Sequence, residues 1–350
     1  MSPIVDITAR LLSSALSQHS PWAILTSAIL LINLGTPAEP TPKAVGKFLK
    51  EFLSDPYVVE IPRPIWWIIL NCFILPKRSK DAAARYASVW TREGSPLRAH
   101  TVAQAKFVGG YLGERGRRDL VVDYAMRYGA PSIKSQLVVL KEKNASRIVL
   151  LPLYPQNARS STATALDAAT TAMSELHYHP EVIKIEDFHD DPGYIDALAN
   201  SVREYWMRSA GRPDKLVMSF HGVPQYTIDR GEPYQQQCLT TGKRLAAKLN
   251  LGEQQYQICF QSRFGRAQWI KPYTADVLTE LGKQKTSRID MICPGFTSDC
   301  LETLEEIAIE GREIFHTAGG GEYNYIPCLN ERHDWLNALT ELALGALDRK

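Results

Sequence analysis

His221 stands in Ser219-Phe220-His221-Gly222-Val223-Pro224, directly after the apolar run Leu216-Val217-Met218. An imidazole there, followed by Gly and Pro, sits in a sharp loop and can accept a proton or bind a metal near neutral pH. A second stretch, Cys293-Pro294-Gly295-Phe296-Thr297-Ser298-Asp299-Cys300-Leu301-Glu302, follows the run Ile289-Asp290-Met291-Ile292. It opens a series of acids, Asp299, Glu302, Glu306, Glu310 and Glu313, spaced by three or four positions. On an α-helix that spacing puts all five carboxylates on one face. Such a stripe is either solvated surface or a group whose like charges raise one another's pKa and attract a cation. Asp299, Glu302 and Glu306 begin at a strand end without a lysine partner, which makes them candidates; Glu313 reads as water-facing. A lone histidine is most often a hydrogen-bonded core residue, and its strand-end position is what favours function for His221.

Two further groups could touch a ligand. Arg127 and Tyr128 follow an apolar strand, where an arginine binds an acidic substrate group or pairs with a structural carboxylate. Ser160-Ser161-Thr162-Ala163-Thr164 reads as a helix start able to receive an anion. No P-loop is present and no GxGxxG follows a strand, so nucleotide cofactors are not indicated. The chain has 40 basic and 38 acidic residues among 350, and its aromatics are not interleaved with a basic patch, which argues against nucleic-acid binding.

The elements that carry these residues are legible as a duplication. Ile29 to Pro37 has the grammar of Leu216 to Pro224: apolar strand, polar residue, then Gly-x-Pro. Ala125-Met126-Arg127-Tyr128-Gly129 is echoed by Gln261-Ser262-Arg263-Phe264-Gly265, and Ile148 to Tyr154 by Ile289 to Phe296. Three echoes in one order predict two related α/β halves. Helical stretches at Thr41 to Phe52, Ser132 to Glu142 and Ala197 to Ser209 alternate with the strands. Each half is therefore expected to be a Rossmann-like parallel sheet flanked by helices, with a cleft at the carboxyl ends of the strands. Boundaries follow: an extension at 1–28, a first half at 29–205, and a second half at 206–350 carrying His221 and Glu302.

The first half carries an insertion at about 55–95, since Gly35 to Gly129 spans 94 positions and Gly222 to Gly265 only 43. It contains Pro64-Ile65-Trp66-Trp67-Ile68-Ile69-Leu70-Asn71-Cys72-Phe73-Ile74-Leu75-Pro76, flanked by Arg63, Lys77 and Arg78. This run is too short to span a bilayer. It reads equally as a buried element or as a segment lying in a membrane interface. Six scattered cysteines without zinc-ribbon spacing read as reduced thiols in a cytosolic protein. No secretory signal is legible. Together the residues suggest a metal-handling or proton-abstracting enzyme with a hydrophobic substrate.

Seven motifs then carry a family resemblance. Asn33-Leu34-Gly35-Thr36-Pro37, Phe52-Leu53-Ser54-Asp55, Leu153-Tyr154-Pro155-Gln156, Ser219 to Pro224, Gly231-Glu232-Pro233-Tyr234, Gln261 to Gly265 and Phe296-Thr297-Ser298-Asp299 with Leu301 to Glu306 together resemble ferrochelatase, from about Leu30 to about Leu336. The resemblance implies insertion of Fe²⁺ into protoporphyrin IX to give protohaem, the terminal step of haem biosynthesis. It makes His221 and Glu302 the joint catalytic and metal-handling pair. It makes Asp299 and Glu306 a proton or metal conduit, and places Arg127, Tyr128, Tyr154 and Trp269 in a porphyrin pocket, with Trp66 at its apolar lip. It further implies a cytoplasmic monomer, peripherally membrane-associated through that lip, with Fe²⁺ as substrate and no resident cofactor. Some members hold a [2Fe–2S] cluster in a cysteine-rich C-terminal extension. Here only Cys328 lies near Lys350, so no cluster is expected. Position 300 is Cys where some relatives have histidine, which shifts metal handling towards carboxylates. The rivals are a chelatase for another tetrapyrrole and a porphyrin carrier, which needs no proton acceptor opposite the metal.

Overall fold

The computed structural model describes residues 26–349 apart from 210 and 266. The expected extension at 1–28 falls almost wholly outside the described residues. The described residues form eight strands, most of them the apolar, β-branched runs. β1 (Thr26–Gly35), β2 (Leu120–Tyr128), β3 (Ala145–Pro152) and β4 (Glu181–Lys184) make one sheet; β5 (Lys215–His221), β6 (Tyr256–Gln261), β7 (Arg288–Ile292) and β8 (Glu322–Tyr325) make the other. All pairings are parallel, in the orders β2-β1-β3-β4 and β6-β5-β7-β8. The two halves thus repeat one topology, as the three sequence echoes require.

Strand alternation explains how each sheet is covered. Ile29 and Leu31 of β1 face a core shared with Leu216, Met218 and Phe220 of β5, while Ala28, Leu30 and Ile32 face a separate core with Leu137 and Ala169. Val217, Ile289 and Met291 do the same for the second sheet, against Leu278 and Phe315. Phe188, Tyr194 and Trp335 fill the shared core, with Phe188 and Trp335 stacked at 5.7 Å. Tyr194 also donates its hydroxyl to the Pro294 carbonyl at the mouth of the β7 loop. A core that belongs to both sheets holds the loops at their carboxyl ends in one arrangement. At the end of β1, Gly35 has φ +106° and a Cβ there would lie 1.8 Å from the Tyr128 carbonyl oxygen, so only glycine lets β1 and β2 end together.

The expected helices form with local causes. Pro42–Leu53 starts at Thr41, whose side chain accepts the Ala44 N–H, and carries Pro42 in its first turn. Ile133–Glu142 is capped by Ser132 in the same way, and Pro192–Arg208 includes the stretch expected from Ala197. The insertion is helical from Arg63 to Val89: α-helix over Arg63–Ile68, π-helix over Ile69–Ile74, α-helix over Leu75–Val89. Among the described residues no helix is long and apolar enough to cross a membrane. The acidic stretch is also wound as a π-helix, over Glu302–Gly311, rather than as the α-helix implied by its spacing. Its wider turn redistributes the carboxylates, and π segments of this kind concentrate at functional sites.

Candidate functional site

The site is built at the carboxyl ends of β5 and β6. His221 pairs in register with Gln261, so the imidazole and the amide leave their strands side by side. The His221 Nδ1 lies 2.7 Å from the Gly222 carbonyl oxygen. A carbonyl only accepts, so Nδ1 carries the hydrogen and Nε2 of the neutral ring is the free base. Tyr234 donates to the His221 carbonyl at 2.8 Å, and the Trp269 ring lies 6.4 Å from the imidazole. Gly222 permits this closeness, because a Cβ would come within 2.8 Å of the Gln261 carbonyl oxygen and 3.1 Å of the Trp269 ring. The Trp269 Nε1 is buried without a partner.

Beyond β6 the chain turns at Ser262, whose φ of +65° lies in the left-handed region. That turn aims the Ser262 N–H at Glu306 Oε1 (2.7 Å) while its hydroxyl reaches Glu306 Oε2 (2.5 Å). Gln261 Nε2 donates to the Glu302 carbonyl at 2.8 Å and to Glu306 Oε2 at 3.2 Å; its Oε1 accepts from Ser219. Burial raises the Glu306 pKa, opposed by Ser262, the nearby His221 and Gln261. Glu302 lies against buried Tyr86 and Cys300, both pushed up mainly by burial and further by the Glu302 charge. Further out, Glu305 and Glu310 pair with Arg85 at 3.4 and 3.8 Å, and Glu313 is exposed.

His221 and Glu306 are therefore brought together around Gln261, which also holds the main chain of Glu302, whose own carboxylate lies towards Tyr86 and Cys300. Asp299 is committed elsewhere. It is buried, accepting from Tyr325 (2.5 Å), Thr303 (3.1 Å) and Asn330 (2.7 Å), so it anchors the start of the acidic helix. The first half forms a second corner. Arg127 Nη2 and the Tyr128 hydroxyl both reach Oδ2 of buried Asp55, the latter at 2.8 Å. Of the two readings of Arg127, the structure thus displays the paired one. The Tyr154 hydroxyl is buried without a partner among the described residues, and burial pushes its pKa up, with Tyr128 adding to the shift and Arg127 opposing it.

Trp66 departs from its expected place at an open lip. It is 8% exposed, packed with Leu53 and Leu70, and its indole N–H donates to the Leu53 carbonyl at 2.6 Å. The apolar face belongs to its neighbours instead: Trp67 is 60% exposed and Phe73 70%, beside exposed Ile65 and Ile68. Asp55, Gln261 and Ser262 were quoted only inside motifs, without roles. The echo between the β2 and β6 ends was the signal that could have singled out the last two. Apart from the Tyr57 N–H on Oδ1, the partners of Asp55 lie 72 to 109 positions away, so nothing local marks its link to Arg127. Among the described residues no three His, Cys, Asp or Glu side chains form a ready metal cage.

The family profile described as Ferrochelatase matches residues 26–347. This chain belongs to the ferrochelatase family. The ferrochelatase of Chromobacterium violaceum is 58% identical over 92% of this chain and 88% of its own length. That of Aromatoleum aromaticum is 55% identical over 90% and 86%. Among solved structures, SirB from Bacillus subtilis with Fe³⁺ aligns with a TM-score of 0.54 at 12% identity, covering 92% of this chain and 96% of its own. CbiX, described as the terminal enzyme of sirohaem biosynthesis in denitrifying bacteria, aligns at 0.51 and 11% identity, covering 92% and 100%. At such identities the likeness is one of fold: two parallel sheets flanked by helices, shared with chelatases. Membership in the ferrochelatase family makes the protein a metal-inserting lyase.

Proposed function

We propose that the protein inserts Fe²⁺ into protoporphyrin IX in the cleft at the strand ends, releasing two protons and forming protohaem. The observation that carries this reading is a His221 imidazole that leaves Nε2 as its basic nitrogen and acts electrostatically on the buried Glu306 carboxylate, which the neutral donors of Gln261 and Ser262 hold. A flat porphyrin hides its nitrogen lone pairs and its pyrrole protons, so binding energy spent on bending the ring brings it towards the reactive shape. His221 Nε2 and Glu302 then take the departing protons or hand over the metal, and Glu306 continues the route towards solvent. Asp299 shapes that route by fixing the helix start. Arg127, Tyr128, Tyr154 and Trp269 line the porphyrin pocket in this reading, and Trp66 supports its lip from beneath. Iron enters and leaves as Fe²⁺, so the chemistry requires no resident redox cofactor or cluster.

We further propose that Ile65, Trp67, Ile68 and Phe73, beside Arg63, Lys77 and Arg78, rest in a membrane interface, where apolar and aromatic groups bury while cations meet anionic headgroups. A cytoplasmic monomer docked this way would take up a hydrophobic porphyrin directly. On this reading the halves at 29–205 and 206–350 are the two walls of the cleft. Co-sedimentation with anionic phospholipid vesicles tests the lip: Trp67→Asp should abolish it, and wild type remaining in the supernatant would sink the idea.

Anaerobic Fe²⁺ insertion into protoporphyrin IX in detergent tests the reaction itself. His221→Ala and Glu302→Gln should each lose about 10²–10⁴-fold in rate, the range for a positioned acid–base group, with porphyrin affinity retained. Wild type that binds porphyrin and never metallates it would instead identify a carrier.

A further inference from the structure

We propose that Asp55 is a positioning residue of the porphyrin pocket, locking the Arg127 guanidinium so that its Nη1 amino group is left for the bound ring. The inference rests on the porphyrin-pocket reading above. Asp55 follows the Pro42–Leu53 helix and its side chain is 4% exposed. A single oxygen, Oδ2, accepts Arg127 Nη2, the Tyr128 hydroxyl (2.8 Å) and the Thr164 hydroxyl (2.7 Å), while Oδ1 accepts the Tyr57 N–H at 2.8 Å. Thr164 closes the loop, because its hydroxyl oxygen also accepts from Arg127 Nε at 2.8 Å. The guanidinium lies over the Tyr128 ring at 4.5 Å. Nε, Nη2 and the flat face are therefore all occupied, whereas Nη1 has no hydrogen-bond partner among the described residues.

A long, flexible cation fixed on three sides is ordered before any ligand arrives, so binding does not have to order it. The remaining donor suits an anionic oxygen, the chemistry of a porphyrin side-chain carboxylate. Arg127 keeps 21% of its side chain exposed, which leaves a path for that contact. Asp55 touches no substrate in this arrangement. The proposed effect passes through Arg127 rather than through Tyr128, whose hydroxyl Asp55 also accepts, and removing Arg127 separates the two.

The test is a kinetic cycle on the full-length protein with protoporphyrin IX and Fe²⁺. Asp55→Asn keeps the shape and an acceptor but removes the charge that holds the guanidinium. It should raise the porphyrin KM about tenfold with kcat at saturation changed less than about twofold, the signature of lost binding common to ground and transition states. In an Arg127→Ala background the same substitution should add nothing. If Asp55→Asn proves unstable, Thr164→Val loosens the same guanidinium and should give a smaller KM rise that also vanishes without Arg127. A KM effect that persists in full without Arg127, or no effect where Arg127→Ala has one, overturns the role of Asp55 and spares the pocket reading. Arg127→Ala with an unchanged KM overturns both, because Asp55 then has nothing to position.

Discussion

The two sheets end their edge strands differently, although the strands are copies in topology. In the first half β2 runs on to Tyr128 and delivers Arg127 to the buried carboxylate of Asp55. In the second half β6 stops at Gln261, three residues earlier in the shared pattern, and the chain turns at Ser262 to meet Glu306. Each corner thus grips one buried carboxylate. The first grips it with a guanidinium and is electrically satisfied. The second grips it with an amide, a hydroxyl and a backbone N–H, next to a histidine and a second glutamate. In a low-dielectric site an acid held only by neutral donors gains most from a proton or a cation. One corner is closed by its ion pair; the other, on the proposed reading, is the one that exchanges charge as protons are traded for a metal.

Stability measurements can break this contrast, and the larger effect is expected in the first half. Asp55→Ala leaves the Arg127 guanidinium without its counter-ion and should cost about 3 kcal/mol in urea unfolding, the low end for a broken buried pair because Arg127 keeps a solvent edge. Glu306→Gln should behave in the opposite sense. Burial raises the Glu306 pKa, so folding favours its protonated form. That stabilisation is complete below the unfolded carboxyl range, near pH 4, and is lost as pH rises through the folded value. Glutamine imitates the protonated acid at every pH. The variant should therefore match wild type at pH 4 and be the more stable of the two at pH 8. A Glu306→Gln loss at pH 8 as large as that of Asp55→Ala would end the distinction between the corners.

The legible part of this molecule was the part written in local pattern. Apolar runs ending in turn residues located the strand ends, and three echoes in one order required two sheets of one topology. His221 and Glu302 were visible because both follow such runs. What stayed hidden depended on winding and on distant partners. The three-and-four spacing from Asp299 onward implied an α-helical stripe, yet the π-helix brings Glu306 near His221 while Tyr325 and Asn330 withdraw Asp299 into the fold. Trp66 and Trp67 are alike in sequence and opposite in burial, because helix phase alone decides which ring meets Leu53 and Leu70. Asp55 gains its meaning from Arg127, Tyr128 and Thr164, and no spacing rule reaches that far.

The smallest expected effect tests the feature that most separates the corners, the turn at Ser262. The aligned position in the first half is Met126, which stays within β2. Ser262 instead holds φ at +65°, a conformation costly for a residue with a Cβ and free for glycine. Both Ser262→Gly and Ser262→Ala delete the hydroxyl bond to Glu306 and keep the backbone N–H bond, so that loss cancels between them. What remains is the backbone. Ser262→Gly should be more stable than Ser262→Ala by about 1 kcal/mol, whereas glycine ordinarily loses to alanine through the freedom it gains when unfolded. The reverse order would mean that the turn is not strained. The aim of the N–H at Glu306 would then follow from the end of β6 alone, and the corner that exchanges charge would differ from its copy only in its side chains.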